Sequence, residues 1–176
     1  MMMQMLEAGG LEVIRDNHRA ADESNPRGYY EDERVKQLRH GHPEWLGSAV
    51  GMAVKVVSPL LQHLPAEYSY LLIFMVRSLE EILASQRRML LRNGRRAADA
   101  ESELAVVYRK HLRDTEAWLT KQDHIDTIYV RYSDIVDEPE GSSIRISTFL
   151  GRPLDHQSMA SVVDRSLYRE TGDSHP

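Results

Sequence analysis

Apolar residues occur in short runs along this chain, and the runs alternate with stretches in which apolar positions recur at helical spacing. Four runs, Leu11–Arg15, Ala53–Val57, Tyr70–Val76 and Thr127–Tyr132, are each bounded by polar or turn-forming residues. Apolar runs of this length are typical of buried strands in parallel sheets. Because strands alternate with helices, the pattern predicts an α/β fold in which helices cover both faces of one parallel sheet.

Helical spacing of apolar residues predicts the segments that lie between these strands. After Val76, Ser78 occupies an N-cap position, and Glu81 three residues later completes a capping box. Gly151 ends the last helix, and Pro153 prevents its continuation. The predicted helices are Met2–Ala8, Glu31–Arg39, Ser78–Leu91, Asp99–Gln122 and Ser142–Leu150, with a helical turn at Leu60–Leu64.

Candidate chemistry appears where the strand Tyr70–Val76 ends. Arg77 follows the apolar run directly, and Ser85 lies two turns along the next helix. Open α/β sheets bind ligands at the carboxyl edge of their strands, and a guanidinium group makes paired hydrogen bonds to phosphate oxygens. This arrangement indicates a phosphate site. The alternative is an arginine that pairs with a carboxylate at the strand end and a serine that is merely tolerated in a helix.

This strand–arginine–helix segment resembles the 3′-phosphate-binding segment of sulfotransferases, which use 3′-phosphoadenosine 5′-phosphosulfate as donor. Three other segments resemble parts of that family in the same order along the chain: Asn25–Glu31 (NPRGYYE), Ile128–Val136 and Phe149–Gly151. The resemblance implies a P-loop NTPase-like fold, in which a parallel sheet is the middle layer of a three-layer sandwich. It also implies a function, transfer of a sulfuryl group to a hydroxyl or amine of a small-molecule or carbohydrate acceptor.

The resemblance assigns roles to three of the residues. Arg77 and Ser85 would hold the 3′-phosphate of the cofactor, and Tyr132 would pack near the adenine. Ser133 stands where the family usually has an acidic residue. No metal is required for sulfuryl transfer in this family, and none is predicted here.

The same resemblance points to candidates for the chemical step. Lys55 matches a lysine of the family's third strand, but Val57 stands where many members have a histidine base. Glu31, at the end of the NPRGYYE segment, is the best replacement for that base. For each residue an alternative stays open. Glu31 could be an exposed carboxylate in the first turn of a helix, where the helix dipole stabilises a negative charge. Lys55 could be the partner of a carboxylate.

The family begins with a strand and a glycine-rich loop whose N–H groups hold the 5′-phosphosulfate. The segment Met1–Gly10 instead has the pattern of the following helix, and no GxxxxGK[ST] motif occurs in the 176 residues. We therefore expect a family member truncated at its N-terminus, with the first strand and loop missing and without activity by itself. The alternatives are a non-catalytic remnant of the fold and another nucleotide-binding protein of the P-loop class.

Composition limits the remaining possibilities. The length suits one domain, residues 1–170, followed by a disordered tail at 171–176. A net charge of -5 argues against nucleic acid as the main partner. The chain has no cysteine, no apolar stretch of membrane-spanning length and no basic signal-peptide region, so a cytoplasmic protein without membrane insertion is expected. His40 and His42 lie close together, but no third metal ligand can be placed beside them.

Overall fold

The computed structural model describes residues 1–16, 18, 28–79, 82 and 101–165. The chain divides into two compact units. Unit 1 comprises Met1–Ser69 and Pro139–Val163, and unit 2 comprises Tyr70–Glu138 with the chain from Asp164 onward. The single domain over residues 1–170 stays a prediction, and the predicted tail at 171–176 lies outside the described residues.

Unit 2 contains a parallel pair of strands, β1 (Tyr70–Val76) and β2 (Ile125–Arg131). The bounds of β1 are those predicted from its apolar run, and the α/β class with a parallel sheet is confirmed. The prediction that β1 is fully buried is wrong, because only Phe74 is buried and Leu71 is 49% exposed. The physical reason is that β1 and β2 form a sheet of only two strands among the described residues, so each strand is an edge strand.

Helices accompany this pair of strands in the described part of unit 2. Helix α3 (Glu101–Leu119) lies inside the predicted long amphipathic helix and ends three residues earlier. Helix α4 (Tyr132–Asp137) follows β2 directly, so the predicted strand end at Tyr132 is wrong by one residue. The guanidinium group of Arg165 donates to the carbonyl oxygens of Val136 and Asp137, and this places a cation where the C-terminus of α4 favours one.

Unit 1 begins with helix α1 (Met2–Ala8), which has the predicted bounds and buries Met2, Met5 and Leu6. Helix α5 (Pro139–Leu150) starts three residues before its predicted beginning. It ends at Gly151 as predicted, where φ is 62°. Helix α6 (His156–Ser161) was not predicted; the carboxylate of Asp155 caps it by accepting the backbone N–H of Ser158.

The two predicted strands of unit 1, Leu11–Arg15 and Ala53–Val57, form only one isolated parallel bridge, between Val13 and Ala53. Neither belongs to the sheet of β1 and β2 in the described part of the chain, so the prediction of four strands in one sheet is wrong. Val54 and Val56 are partly buried and pack against a small core. That core consists of Val35, Leu38 and Leu46 with partly buried neighbours.

The predicted helix over Glu31–Arg39 is shorter than expected. Helix α2 covers Arg34–Gln37, and a 3₁₀ helix continues it over Leu38–His40. The buried carboxylate of Asp32 accepts the backbone N–H and the guanidinium Nε of Arg34, each at 2.9 Å. This side chain therefore fixes the beginning of the helix after Glu31. Further 3₁₀ helices cover Glu44–Ala49 and Ser58–His63. Within the described residues, no helix combines the length and apolarity needed to span a membrane.

Helix α5 offers a matched test of packing in unit 1. Ile146 has 0% exposure, whereas Ile144, on the same helix, is 47% exposed. We expect Ile146→Ala to lower the free energy of unfolding by about 2–5 kcal/mol, because it removes buried apolar contacts and leaves a cavity. We expect Ile144→Ala to change it by less than about 0.5 kcal/mol.

Both substitutions replace isoleucine by alanine in a helix, so their helix-propensity terms cancel in the comparison. The measurement is urea unfolding followed by the fluorescence of Trp45 in a Trp118→Phe background, since the chain has two tryptophans. Equal unfolding midpoints for the two variants would show that Ile146 does not contribute to a packed core.

Candidate functional site

Arg77 and Tyr132 meet at the carboxyl edge of the parallel strands. The register pairs Val76 with Arg131, so the residues that follow them leave the sheet side by side. The guanidinium carbon of Arg77 lies 4.5 Å from the centroid of the Tyr132 ring. Both side chains are partly buried. A cation over an aromatic face is attracted by about 0.5–2 kcal/mol, depending on desolvation, so the contact restrains the arginine at this edge.

The elements behind this contact explain why it forms. Parallel strands end on the same side of a sheet, and β1 and β2 end at paired residues. Tyr132 is the first residue of α4, so its ring is carried by a helix. Beside it, the hydroxyl of Ser133 donates to the carboxylate of Asp134 at 3.3 Å. The structure thus brings together two of the three predicted cofactor residues, although Tyr132 lies in a helix and not in a strand.

The third predicted cofactor residue, Ser85, lies outside the described residues. The beginning of its predicted helix is visible, because the backbone N–H of Ile82 donates to the carbonyl of Ser78 at 3.1 Å. Ser78 therefore lies at the first turn of a helical segment, as its capping position predicts. The role of Ser85 stays a prediction.

Glu31 and Lys55 form an ion pair in unit 1, with 3.1 Å between Lys55 Nζ and Glu31 Oε1. The same ammonium donates to the carbonyl oxygen of Tyr29 at 3.0 Å. The side chains of Lys55 and Glu31 are 37% and 34% exposed, so solvent or a ligand can reach both. An ammonium carries three donors, which leaves one N–H of Lys55 beyond these two bonds to meet an anionic group.

This pairing bears on the alternatives that the sequence left open, and the catalytic roles of both residues stay predictions. Lys55 does pair with a carboxylate, and that carboxylate belongs to Glu31, the other residue singled out for catalysis. Glu31 does not lie in the first turn of a helix, because α2 begins at Arg34. The two residues therefore form one local arrangement of a carboxylate and an ammonium.

Asp16 holds the backbone next to Glu31. Its carboxylate accepts the backbone N–H groups of His18 at 2.9 Å and of Glu33 at 2.6 Å. These two backbone hydrogen bonds lower the pKa of Asp16 below its usual value. The guanidinium of Arg34 likewise lowers the pKa of the buried Asp32. Both carboxylates therefore stay ionised at neutral pH and keep the segment that carries Glu31 in place.

A second cluster of polar side chains in unit 1 was not predicted from the sequence. The hydroxyl of Tyr30 donates to Glu7 Oε2 at 2.6 Å, and Arg15 Nη2 lies 3.0 Å from Glu7 Oε1. The guanidinium carbon of Arg15 also lies 4.8 Å from the centroid of the Tyr30 ring. Burial, followed by the hydrogen bond to Glu7, raises the pKa of the Tyr30 hydroxyl. A cleft of about 350 Å³ opens beside the cluster and is lined by Gln4, Glu7, Ala8, Tyr30 and Val162.

No pattern in the sequence marks this cluster, because its three members are separated by 8 and 15 residues and lie in segments of different predicted structure. His40 and His42 each contact a neighbouring charged side chain. His40 Nε2 accepts a hydrogen bond from Arg39, and His42 lies 3.6 Å from Glu44. In the part of the chain that the structure describes, no group of three or more His, Cys, Asp or Glu side chains has the geometry of a metal site.

Comparison with known proteins identifies a family. A family model described as "Sulfotransferase domain" matches residues 72–174, which is more than half of the chain. The matched segment begins inside β1 and contains Arg77, Ser85 and Tyr132, whereas Glu31 and Lys55 precede it. No curated protein and no solved structure gives a significant match to the chain.

Proposed function

Since the chain belongs to the sulfotransferase domain family, we propose that it binds 3′-phosphoadenosine 5′-phosphosulfate and serves the transfer of its sulfuryl group. The acceptor is a hydroxyl or an amine of a small molecule or a carbohydrate. The observation that carries this proposal is the contact between Arg77 and Tyr132 at the carboxyl edge of the parallel strands, within the matched segment. We also propose the three-layer P-loop NTPase-like arrangement for the complete domain.

Arg77 is suited to the 3′-phosphate while its guanidinium group lies over the Tyr132 ring. The guanidinium is planar and carries its N–H donors in a rigid fork. A phosphate that lies in this plane accepts two of these donors in parallel, which is the strong bidentate geometry. In this proposal Ser85 adds a hydroxyl donor to the same phosphate, and Tyr132 packs near the adenine.

Glu31 and Lys55 are the proposed residues for the chemical step. The acceptor atom forms a bond to sulfur while the bond from sulfur to the bridging phosphate oxygen breaks. The electron pair of that bond leaves with 3′-phosphoadenosine 5′-phosphate. Glu31 takes the proton of the acceptor as general base, and Lys55 contacts an oxygen of the sulfuryl group. The 3.1 Å ion pair supports these roles, because it holds a carboxylate and a cation side by side.

The proposal is tested by comparing two nucleotides in calorimetric titrations of the 176-residue protein. We expect 3′-phosphoadenosine 5′-phosphate to bind at least about tenfold more tightly than adenosine 5′-phosphate, because only the former offers a 3′-phosphate for a charge-assisted hydrogen bond. We expect Tyr132→Ala to weaken both nucleotides by a similar factor of about ten, through lost stacking on the base.

The control is Tyr132→Phe, which keeps the ring and removes only the hydroxyl. Its affinity for both nucleotides should stay close to that of the unchanged protein. Equal affinity of the unchanged protein for the two nucleotides would contradict the proposed 3′-phosphate site.

A further inference from the structure

Tyr30 adopts a backbone conformation that few bulky residues take. Its φ is 52°, in the left-handed region, and it is the only non-glycine residue with positive φ in the described part of the chain. A side chain with a Cβ is disfavoured there, and such conformations persist when the surrounding structure holds them. The contacts of Tyr30 therefore have to explain why its backbone stays in this region.

The side chain of Tyr30 supplies that restraint. Its hydroxyl donates to Glu7 Oε2 at 2.6 Å, a short bond to a charged acceptor. Arg15 closes the arrangement, because it pairs with the other oxygen of Glu7 at 3.0 Å and lies over the Tyr30 ring. Glu7 of helix α1 thus holds the hydroxyl of Tyr30, and the guanidinium of Arg15 contacts the face of its ring.

The residues on either side of Tyr30 both turn toward Lys55. The carbonyl oxygen of Tyr29 and the carboxylate of Glu31 accept hydrogen bonds from the same ammonium, at 3.0 and 3.1 Å. The two acceptors belong to the residues directly before and after Tyr30, so the backbone conformation of Tyr30 sets how they are placed relative to each other. The left-handed conformation of Tyr30 lies at the turn between them.

We propose that Glu7, Arg15 and Tyr30 are positioning residues, which anchor the turn that brings Glu31 onto Lys55. All five residues belong to unit 1. This proposal rests on the proposed function only for the catalytic roles of Glu31 and Lys55. The anchoring of their ion pair by the cluster does not depend on those roles. It also explains why a tyrosine, and not a glycine, occupies a left-handed position, since glycine would take the conformation freely but has no side chain to fix it.

The test measures the geometry of Lys55 without any nucleotide. The intact 176-residue protein is acetylated with a limiting amount of an N-hydroxysuccinimide ester, and the extent at each lysine is read by peptide mass spectrometry. An amine held by two acceptors must leave them before it reacts. We expect Glu7→Ala and Tyr30→Phe to raise the labelling rate of Lys55 at least about threefold, as for the loss of one hydrogen bond.

Two further variants separate anchoring from a general structural role. Glu7→Gln keeps an oxygen that can accept the Tyr30 hydroxyl, so its Lys55 labelling should stay near that of the unchanged protein. Tyr30→Gly permits the left-handed backbone but removes the anchor, so its Lys55 labelling should rise as in Tyr30→Phe. Lys36 is the internal control, because it pairs with Glu33 at 2.6 Å in the same unit and should keep its labelling rate in every variant.

Unchanged Lys55 labelling in Glu7→Ala and Tyr30→Phe would overturn the proposal, and so would unchanged labelling in Tyr30→Gly. If Glu7→Ala fails to fold, as judged by far-UV circular dichroism and by the Lys36 rate, Tyr30→Phe decides alone, since it removes one hydroxyl. The labelling requires no donor nucleotide and no turnover. A protein that fails to bind 3′-phosphoadenosine 5′-phosphate but shows the expected labelling would refute the proposed function and leave the anchor standing.

Discussion

Replacing Arg77 by alanine is expected to weaken the binding of 3′-phosphoadenosine 5′-phosphate by about 30- to 900-fold, equivalent to about 2–4 kcal/mol. The variant removes a charge-assisted, two-pronged contact to the 3′-phosphate and leaves that phosphate without its partner. Adenosine 5′-phosphate, which has no 3′-phosphate, should keep its affinity within about twofold, because the proposed contact does not involve it. The measurement is calorimetric titration of both nucleotides with a polypeptide that carries a family-like strand and glycine-rich loop before Met1, with and without the substitution.

Two control variants make the result specific to this arginine. Arg109→Ala removes the same charge from the exposed surface of α3 in the same unit, and it should leave both affinities nearly unchanged. Arg77→Lys keeps the charge but loses the planar fork, so its affinity should lie between those of the unchanged protein and Arg77→Ala. If Arg77→Ala weakens both nucleotides equally, the arginine supports the local structure and does not recognise the 3′-phosphate.

Removing the carboxylate of Glu31 is expected to reduce sulfuryl transfer by about 10²- to 10⁴-fold, the usual contribution of a general base. The 176 residues contain no GxxxxGK[ST] motif, and the N–H donors of such a loop are usually the largest catalytic contribution in sites of this kind. We therefore expect no turnover by the 176-residue polypeptide. The assay uses an engineered polypeptide with a family-like strand and glycine-rich loop placed before Met1, a radiolabelled sulfuryl donor and a panel of alcohol and amine acceptors.

The comparison in that assay is between the extended protein and its Glu31→Gln form, with nucleotide affinity measured in parallel. Glutamine keeps the size of the side chain and an oxygen that can accept from Lys55, so the binding of 3′-phosphoadenosine 5′-phosphate should not change. Transfer at an unreduced rate by Glu31→Gln would exclude this residue as the base. Transfer by the 176-residue polypeptide at the rate of the extended one would contradict the expected inactivity.

The sequence was sufficient for several properties that depend on neighbouring residues. The apolar run of β1 ends at a charged residue, and the end of the strand at Val76 follows from that change. Helix α1 has its predicted bounds, and Gly151 ends α5, because helical spacing and a terminal glycine are local signals. The resemblance carried by Arg77 and the residues around Tyr132 is likewise local, and the sulfotransferase domain match covers both.

The sequence was misleading where an apolar run had two ways to be buried. Ala53–Val57 has the pattern of a strand, yet Val54 and Val56 pack against the core around Val35. The side chain of Val57 is 54% exposed. An apolar run predicts burial, but whether the burial occurs in a sheet depends on which partners approach it. A single bridge between Val13 and Ala53 is what remains of the two predicted strands.

By itself, then, the sequence determined the family, the parallel strand β1 and the arginine that follows it, because these depend on residues close together in the chain. Only the tertiary structure decided that the guanidinium of Arg77 lies over the Tyr132 ring, since their contact depends on the register of two strands distant in sequence. It also decided that Glu31 pairs with Lys55 and that Tyr30 is held in a left-handed conformation by Glu7. Such contacts depend on how segments distant in sequence pack together, and the pattern of residues along the chain does not determine that packing geometry.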